Sequence, residues 1–123
     1  MEFKTQKPIY RQIADFILEN VLSGTWKGGE RIQSVREMAA SVEVNPNTVM
    51  RSYTFLNEEG IIYNRRGIGY FLQEDAAEKA HQYKKALFVK EELPDFFEMM
   101  DLLKINFQEL QSLYEKNYSN EIK

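Results

Sequence analysis

The chain has 123 residues, 43% of them hydrophobic and 28% charged, with a formal net charge of −3, as expected for one folded domain with a short extension. It contains no cysteine and only one histidine, His81, which excludes disulfides and cysteine metal sites and leaves little for acid–base catalysis. No apolar signal core opens the sequence and no stretch approaches the roughly 18 apolar residues of a membrane span, so we expect a cytoplasmic protein without a membrane partner.

The charge is unevenly distributed along the chain. Residues 1–73 contain nine Lys or Arg and eight Asp or Glu, a net of +1, whereas residues 74–123 contain seven and eleven, a net of −4. A dedicated nucleic-acid-binding domain is often far more basic. Net charge alone therefore does not indicate nucleic acid, and the positions of the arginines matter more than their number.

The first predicted element is a helix over about residues 8–22, ended by Gly24. Apolar residues recur in it every three or four positions, which predicts one buried face. These residues are Ile9, Ile13, Phe16, Ile17 and Val21.

A short second helix is predicted over about residues 35–42. Ser34 stands at its cap and Glu37 follows three residues later, which is the spacing of a capping box. Its apolar side consists of Val35, Met38 and Ala39.

A third helix is predicted from Pro46 to about Glu59. Asn45 is a favoured cap, proline suits the first helical position, and Gly60 stops the helix. Its apolar stripe consists of Val49, Ser52, Tyr53 and Leu56. At about 100° per residue, the opposite face carries Asn47, Met50, Arg51 and Thr54, with Thr48 at its edge.

After Gly60 the period of the sequence changes from helical to strand-like. Residues 61–65 and 69–73 bracket Arg66-Gly67-Ile68, which predicts a hairpin with a glycine-rich tip. The order of helix, short helix, helix and hairpin within about 70 residues predicts a helix-turn-helix whose wing is the hairpin.

Five motifs follow one another over about residues 8–73: Pro8–Ala14, Gly29–Ala39, Val44–Val49, Leu56–Ile61 and Arg66–Phe71. Together they resemble the N-terminal domain of the GntR family of bacterial transcription regulators. The Asn45–Val49 run and the short tail together resemble the YtrA-like subgroup. Two positions differ from the usual family pattern: Gln33 stands where proline is common, and Met50 where many members carry an arginine that reaches DNA.

The face that the apolar stripe of the third helix leaves free predicts contacts with DNA. The resemblance implies contacts at Asn47 and Thr48 and places Arg36 against DNA as well, while a basic hairpin tip can reach the minor groove or the phosphates. The alternatives are a merely solvated helix face and glycines that only permit the turn. The predicted DNA-binding residues are Arg36, Asn47, Thr48, Arg51, Arg65, Arg66 and Gly67.

The tail is predicted to hold two helices. The first covers residues 74–92, with Ala76, Ala80, Tyr83 and Leu87 on one side. Leu93-Pro94-Asp95 then breaks and restarts the chain, with proline or aspartate near the start of the second helix. So broad an apolar face calls for a partner, and we expect a homodimer; the alternative is that the last helix folds back on the winged domain. The predicted dimerisation residues are Leu93, Phe96, Met100, Leu103, Phe107, Leu110 and Tyr114.

The sequence thus predicts a mostly helical protein, with a winged helix-turn-helix domain over 1–73 and a helical dimerisation domain over 74–123. We expect a homodimeric repressor that binds double-stranded DNA at a palindromic operator through the recognition helix (about 46–59) and the wing (about 61–73). The alternative is a winged-helix adaptor that binds protein instead. No nucleophile–base pair, phosphate-cradling loop, metal cluster or cofactor motif indicates an enzyme. A small-molecule effector is left open.

Overall fold

The computed structural model describes residues 7–121 of the chain, and the side chains of residues 7–118. They divide into two compact units, the first ending at Lys84 and the second beginning at Lys85. A π-helical turn, Phe88–Glu92, joins the helix that ends at Leu87 to the helix that begins at Leu93. The elements are α1 (Ile9–Leu22), α2 (Val35–Val42), α3 (Pro46–Glu58), β1 (Ile62–Arg65), β2 (Gly69–Leu72), α4 (Ala76–Leu87), α5 (Leu93–Leu103) and α6 (Phe107–Glu121). The predicted mostly helical fold with one small hairpin is confirmed.

The caps predicted for α2 and α3 are present. The backbone N–H of Glu37 donates to Ser34 Oγ at 3.1 Å and that of Ser34 donates to Glu37 Oε1 at 2.9 Å, which closes the capping box. The bond from the Ser34 backbone lowers the pKa of Glu37. At the start of α3, the Asn47 backbone donates to Asn45 Oδ1 at 2.8 Å. Each helix of the helix-turn-helix therefore begins where the side chain of its capping residue, Ser34 or Asn45, accepts a hydrogen bond from a backbone N–H of the first turn.

The core of the first unit lies between α1, α2, α3 and the hairpin. All four residues of the predicted α3 stripe are fully buried. In α1 the prediction was wrong at two positions, because Ile9 is 56% and Phe16 46% exposed. Ile9 lies in the first turn, and Phe16 packs at the rim, edge-on against Trp26 with ring centroids 5.9 Å apart. The buried residues of α1 are Ile13, Ala14, Ile17, Leu18 and Val21.

The hairpin is an antiparallel pair in which Ile62 lies opposite Leu72 and Arg65 opposite Gly69. Ile62 and Leu72 are both buried and attach the base of the hairpin to the core. The loop before α2 extends this sheet, because the Leu72 N–H donates to the Glu30 carbonyl at 2.9 Å. The wing is thus joined to the rest of the first unit along β2.

The first part of α4 belongs to the winged unit. Ala76 and Ala80 are fully buried in its core. Arg11 Nη1 donates to the Tyr83 hydroxyl at 2.9 Å, and Asp15 accepts bonds from Lys84 at 3.0 Å and from Lys7 at 2.9 Å. Burial of Asp15 alone would raise its pKa, but the two lysines outweigh burial and hold the pKa below its ordinary value. These contacts explain why the compact unit continues to Lys84.

The tail corrects one expectation. The predicted restart is confirmed, because α5 begins at Leu93 with Pro94 in its first turn. The predicted break is wrong, because the π-helical turn Phe88–Glu92 runs directly into α5. The break falls at Lys104, which adopts a left-handed conformation with φ 59°. Asn106 then caps α6, since its Oδ1 accepts the Glu109 backbone N–H at 2.8 Å. The predicted stripe from Leu93 to Tyr114 is consequently divided between two helices.

Candidate nucleic-acid interface

The rotation of α3 about its axis is fixed by two buried hydroxyl groups. Ser52 Oγ donates to the Tyr10 carbonyl of α1 at 2.7 Å, and the Tyr53 hydroxyl donates to the Gln33 carbonyl at 2.6 Å. Burial raises the pKa of Tyr53, so its hydroxyl stays protonated and remains a donor. With these residues turned inward, the opposite side of α3 is presented to solvent.

The exposed side of α3 carries groups that can read nucleic acid. Asn47 and Arg51 are exposed, and Thr48 is half-buried at the edge. An amide can bind adenine in a bidentate manner, and a guanidinium can bind guanine or a phosphate. The face therefore combines hydrogen-bond donors and acceptors with one positive charge.

Arg51 packs against the aromatic ring of Tyr10 at the start of α1. Its guanidinium carbon lies 4.0 Å from the ring centroid. The pKa of Tyr10 is lowered, chiefly by a side-chain hydrogen bond with Arg11, and Arg51 lowers it as well. Stacking uses the face of the guanidinium, whereas its N–H donors lie in the plane. Arg51 can therefore stack on Tyr10 and bind a phosphate or base edge at the same time.

Met50 lies on the side of α3 that meets the wing. The Tyr70 hydroxyl of β2 is 3.9 Å from Met50 Sδ, within range of a weak O–H···S bond. The Tyr70 ring also packs edge-on against Tyr53, with centroids 4.9 Å apart. One tyrosine of the wing thus contacts both a buried and an exposed residue of α3.

The remaining predicted DNA-binding residues lie on α2 and at the wing tip, and all are exposed. Arg36 is in the first turn of α2. Arg65 ends β1 and its guanidinium lies 5.0 Å from the centroid of the Phe71 ring. Gly67 has φ 77°, a left-handed conformation that glycine adopts without strain. Arg66 precedes it at the tip of the turn.

Sequence reasoning missed two residues of this surface, Tyr70 and Ile68, and the contact between Tyr10 and Arg51. Tyr70 contacts Met50, and Tyr10 contacts Arg51, over long separations in sequence, and no local pattern predicts such pairs. Ile68 is 54% exposed at the wing tip. Ile68 stands between two glycines, which mark a turn, and this could have predicted its exposure, because the alternation of buried and exposed residues in a strand does not continue into a turn.

The second unit presents a broad apolar surface. No side chain described between Lys85 and Tyr118 is buried. Among the predicted dimerisation residues, Phe96 is 45%, Leu103 59%, Phe107 73% and Tyr114 62% exposed. The others, Leu93, Met100 and Leu110, are half-buried.

Within residues 7–121, no group of three or more His, Asp or Glu side chains is arranged to hold a metal ion. In the same part of the chain, no helix has the length and apolarity required to cross a membrane.

A family model described as bacterial regulatory proteins of the gntR family matches residues 9–72. The chain is 38% identical to the uncharacterized HTH-type transcriptional regulator YhcF of Bacillus subtilis over 109 residues, covering 89% of this chain and 88% of that protein. It is 39% identical to the HTH-type transcriptional repressor YtrA of the same organism, covering 73% of this chain and 68% of that protein.

The fold has a close counterpart among solved structures. A GntR family transcriptional regulator from Listeria monocytogenes superposes with a TM-score of 0.75 at 37% identity. The alignment covers 93% of this chain and 98% of that one. The likeness therefore extends beyond the winged domain into the tail.

Proposed function

The chain belongs to the GntR family of bacterial regulatory proteins, and on that premise we propose that it acts in the cytoplasm as a homodimeric repressor of transcription. Its family and the relatives it matches are transcription regulators, not enzymes. The chain is thus a DNA-binding transcription regulator, and the proposal concerns how it reads DNA and in what assembly.

We assign the reading of DNA to residues 1–73, with α3 in the major groove. One observation carries this assignment: Val49, Ser52, Tyr53 and Leu56 are fully buried, so Asn47 and Arg51 are turned outward on the opposite side. The assigned contacts are Arg36, Asn47, Thr48 and Arg51 from the helices and Arg65, Arg66 and Gly67 from the wing tip. The wing cations serve the minor groove or the flanking phosphates.

We assign dimerisation to residues 74–123. Within it, the described side chains from Lys85 to Tyr118 are all at least partly exposed and include several large apolar groups, so this part cannot be stabilised by burial within one chain. A second copy of the same surface would cover it and form the apolar centre of a stable interface. Two-fold symmetry then implies an operator with two inverted half-sites.

Repression is the mode of control that we propose. The relative YtrA is named a transcriptional repressor, and a dimer seated on a promoter would exclude the polymerase. We keep a small-molecule effector as an open part of this proposal, without assigning a site to it.

The proposal is tested by binding to a site recovered from genomic fragments, compared with a scrambled duplex of the same composition over a range of salt. We expect at least about a thousandfold preference for the recovered site and a steep loss of affinity with salt as phosphate contacts release counterions. No preference and no salt dependence would contradict the proposal and favour an adaptor that binds protein. Adding the protein to transcription from a promoter that contains the site should lower transcript yield.

A further inference from the structure

Met50 is an exposed apolar side chain in a helix whose other large apolar residues face inward. It is 43% exposed, whereas Val49, Tyr53 and Leu56 are fully buried and Phe55 is half-buried. Packing in the core therefore does not explain why an apolar side chain occupies position 50. An exposed thioether on the surface proposed to enter the groove calls for a role outside the core.

The position of Met50 is defined by its neighbours. At about 100° per residue, it shares one side of α3 with Asn47 three residues before it and Thr54 four residues after it. The Tyr70 hydroxyl, 3.9 Å from Sδ, holds the thioether on the side of α3 nearer the wing. Tyr70 is itself held by its ring contact with Tyr53. These contacts hold the Met50 side chain beside Asn47 and restrict its motion.

The chemistry of the side chain limits what it can recognise. A thioether donates no hydrogen bond and accepts only weakly, so it offers mainly an apolar contact. In the major groove, thymine is the base that presents a methyl group. We propose that Met50 reads the C5-methyl group of a thymine in each half-site.

This inference rests on the proposed function, because it requires α3 to lie in the major groove. It adds a base preference that the polar residues do not supply. The amide of Asn47 suits adenine, and a thymine-reading Met50 next to it selects an A·T pair at the neighbouring position. Arg51, held by Tyr10, remains available for a phosphate or a guanine.

Deoxyuridine tests the contact, because it differs from thymidine only by the missing C5-methyl group. In the site that the wild-type protein selects, each thymine is replaced by deoxyuridine one at a time and affinity is measured at fixed salt. For the wild type we expect about a fourfold loss at one position in each half-site, as follows from removing one buried methyl group. For Met50→Ala we expect thymine and deoxyuridine to bind equally at that position.

Two control variants separate this contact from other effects. Met50→Leu keeps an apolar side chain and should retain the penalty for deoxyuridine. Met99→Ala removes a methionine of similar exposure, 44%, from α5, and should leave the ratio of the two affinities as in the wild type.

The inference is overturned if the wild type binds its site specifically but is indifferent to every deoxyuridine. It is also overturned if Met50→Ala shows the same penalty as the wild type, since another residue would then contact the methyl group. A wild-type protein that selects no sequence at all would overturn the proposed function itself, which is a distinct result.

Discussion

At the scale of single residues, the pairing of Arg51 with Tyr10 is the most informative contact of the proposed interface. A long cationic side chain loses conformational freedom when it binds DNA, at a cost of up to about 2 kcal/mol. The Tyr10 ring, 4.0 Å from the guanidinium carbon, restricts that freedom before DNA arrives. Arg51 is therefore better prepared for binding than an unsupported surface arginine would be.

We predict that Arg51→Ala weakens binding to the cognate site by about 1–3 kcal/mol, because a bidentate contact is lost. The measurement is a fluorescence-anisotropy titration at fixed salt. Lys79→Ala is the matched control, since it removes an exposed cation from α4 and should change affinity little. An Arg51→Ala variant with unchanged affinity would remove Arg51 from the interface.

Asp15 gives a prediction about stability and pH. Its pKa in the folded protein lies below the ordinary value of 3.8 because Lys7 and Lys84 outweigh burial. The folded state consequently binds fewer protons than the unfolded state near and below that pH. The stabilisation is fully present above about pH 5 and is lost as the pH falls through the folded-state pKa.

We expect Asp15→Asn to lower the free energy of unfolding by about 1 kcal/mol at pH 7, as for a partly exposed ion pair. The difference from the wild type should shrink as urea denaturation is repeated toward pH 3. Asp75→Asn, at an exposed aspartate, serves as the control and should show no comparable loss. A difference that stayed constant with pH would argue against this account of Asp15.

At the scale of elements, local signals in the sequence predicted the winged unit well. The capping box of Ser34 and Glu37, the Asn45 cap and the α3 stripe depend on residues within one turn of each other, so spacing alone identifies them. The hairpin strands were placed within one residue. The exposed Phe16 was not predicted, because its packing against Trp26 depends on how the loop after α1 returns.

The tail was harder to predict because two different patterns overlap there. Spacing of apolar residues by three and four continues through Lys104, although the backbone turns left-handed at that residue. The Asn106 cap was the available sign of a new helix, and the regular apolar spacing concealed it. Pro94 correctly indicated the start of a helix, but no break precedes it, because the first turn of a helix tolerates proline.

The wing yields a prediction about salt dependence. Arg66→Ala should reduce the slope of log affinity against log salt by about one, because one phosphate contact is lost. Ile68→Ala, two residues further along the exposed tip, carries no charge and should leave the slope unchanged. Equal slopes for Arg66→Ala and the wild type, measured on the same duplex, would mean that Arg66 does not approach the phosphates.

At the scale of the whole molecule, the two tasks that we propose, DNA reading and dimerisation, fall on two kinds of surface. The cations proposed to contact DNA lie in the first unit, and the exposed apolar side chains concentrate in the second. Residues 74–123 have a net charge of −4, which disfavours contact between that segment and phosphates. This division supports DNA reading by the winged unit and assembly through the tail.

We predict that Phe107→Asp dissociates the dimer, because it places a charge in the proposed interface at a side chain that is 73% exposed in the single chain. Sedimentation velocity should show a shift from dimer to monomer at a concentration where the wild type is dimeric. Gln108→Asp is the matched control, since it adds the same charge at the next residue of α6 and should leave the dimer intact. A dimeric Phe107→Asp variant, or a monomeric wild type, would contradict the assignment.

The measurement that tests the central claim most directly is sequencing of the genomic fragments that the purified protein retains. A dimer reading DNA through α3 and the wing should recover a short inverted repeat with half-site centres about one helical turn, roughly 34–36 Å, apart. Recovery of a single unrepeated half-site would contradict the two-fold arrangement. Recovery of fragments that share no sequence would contradict specific reading by α3.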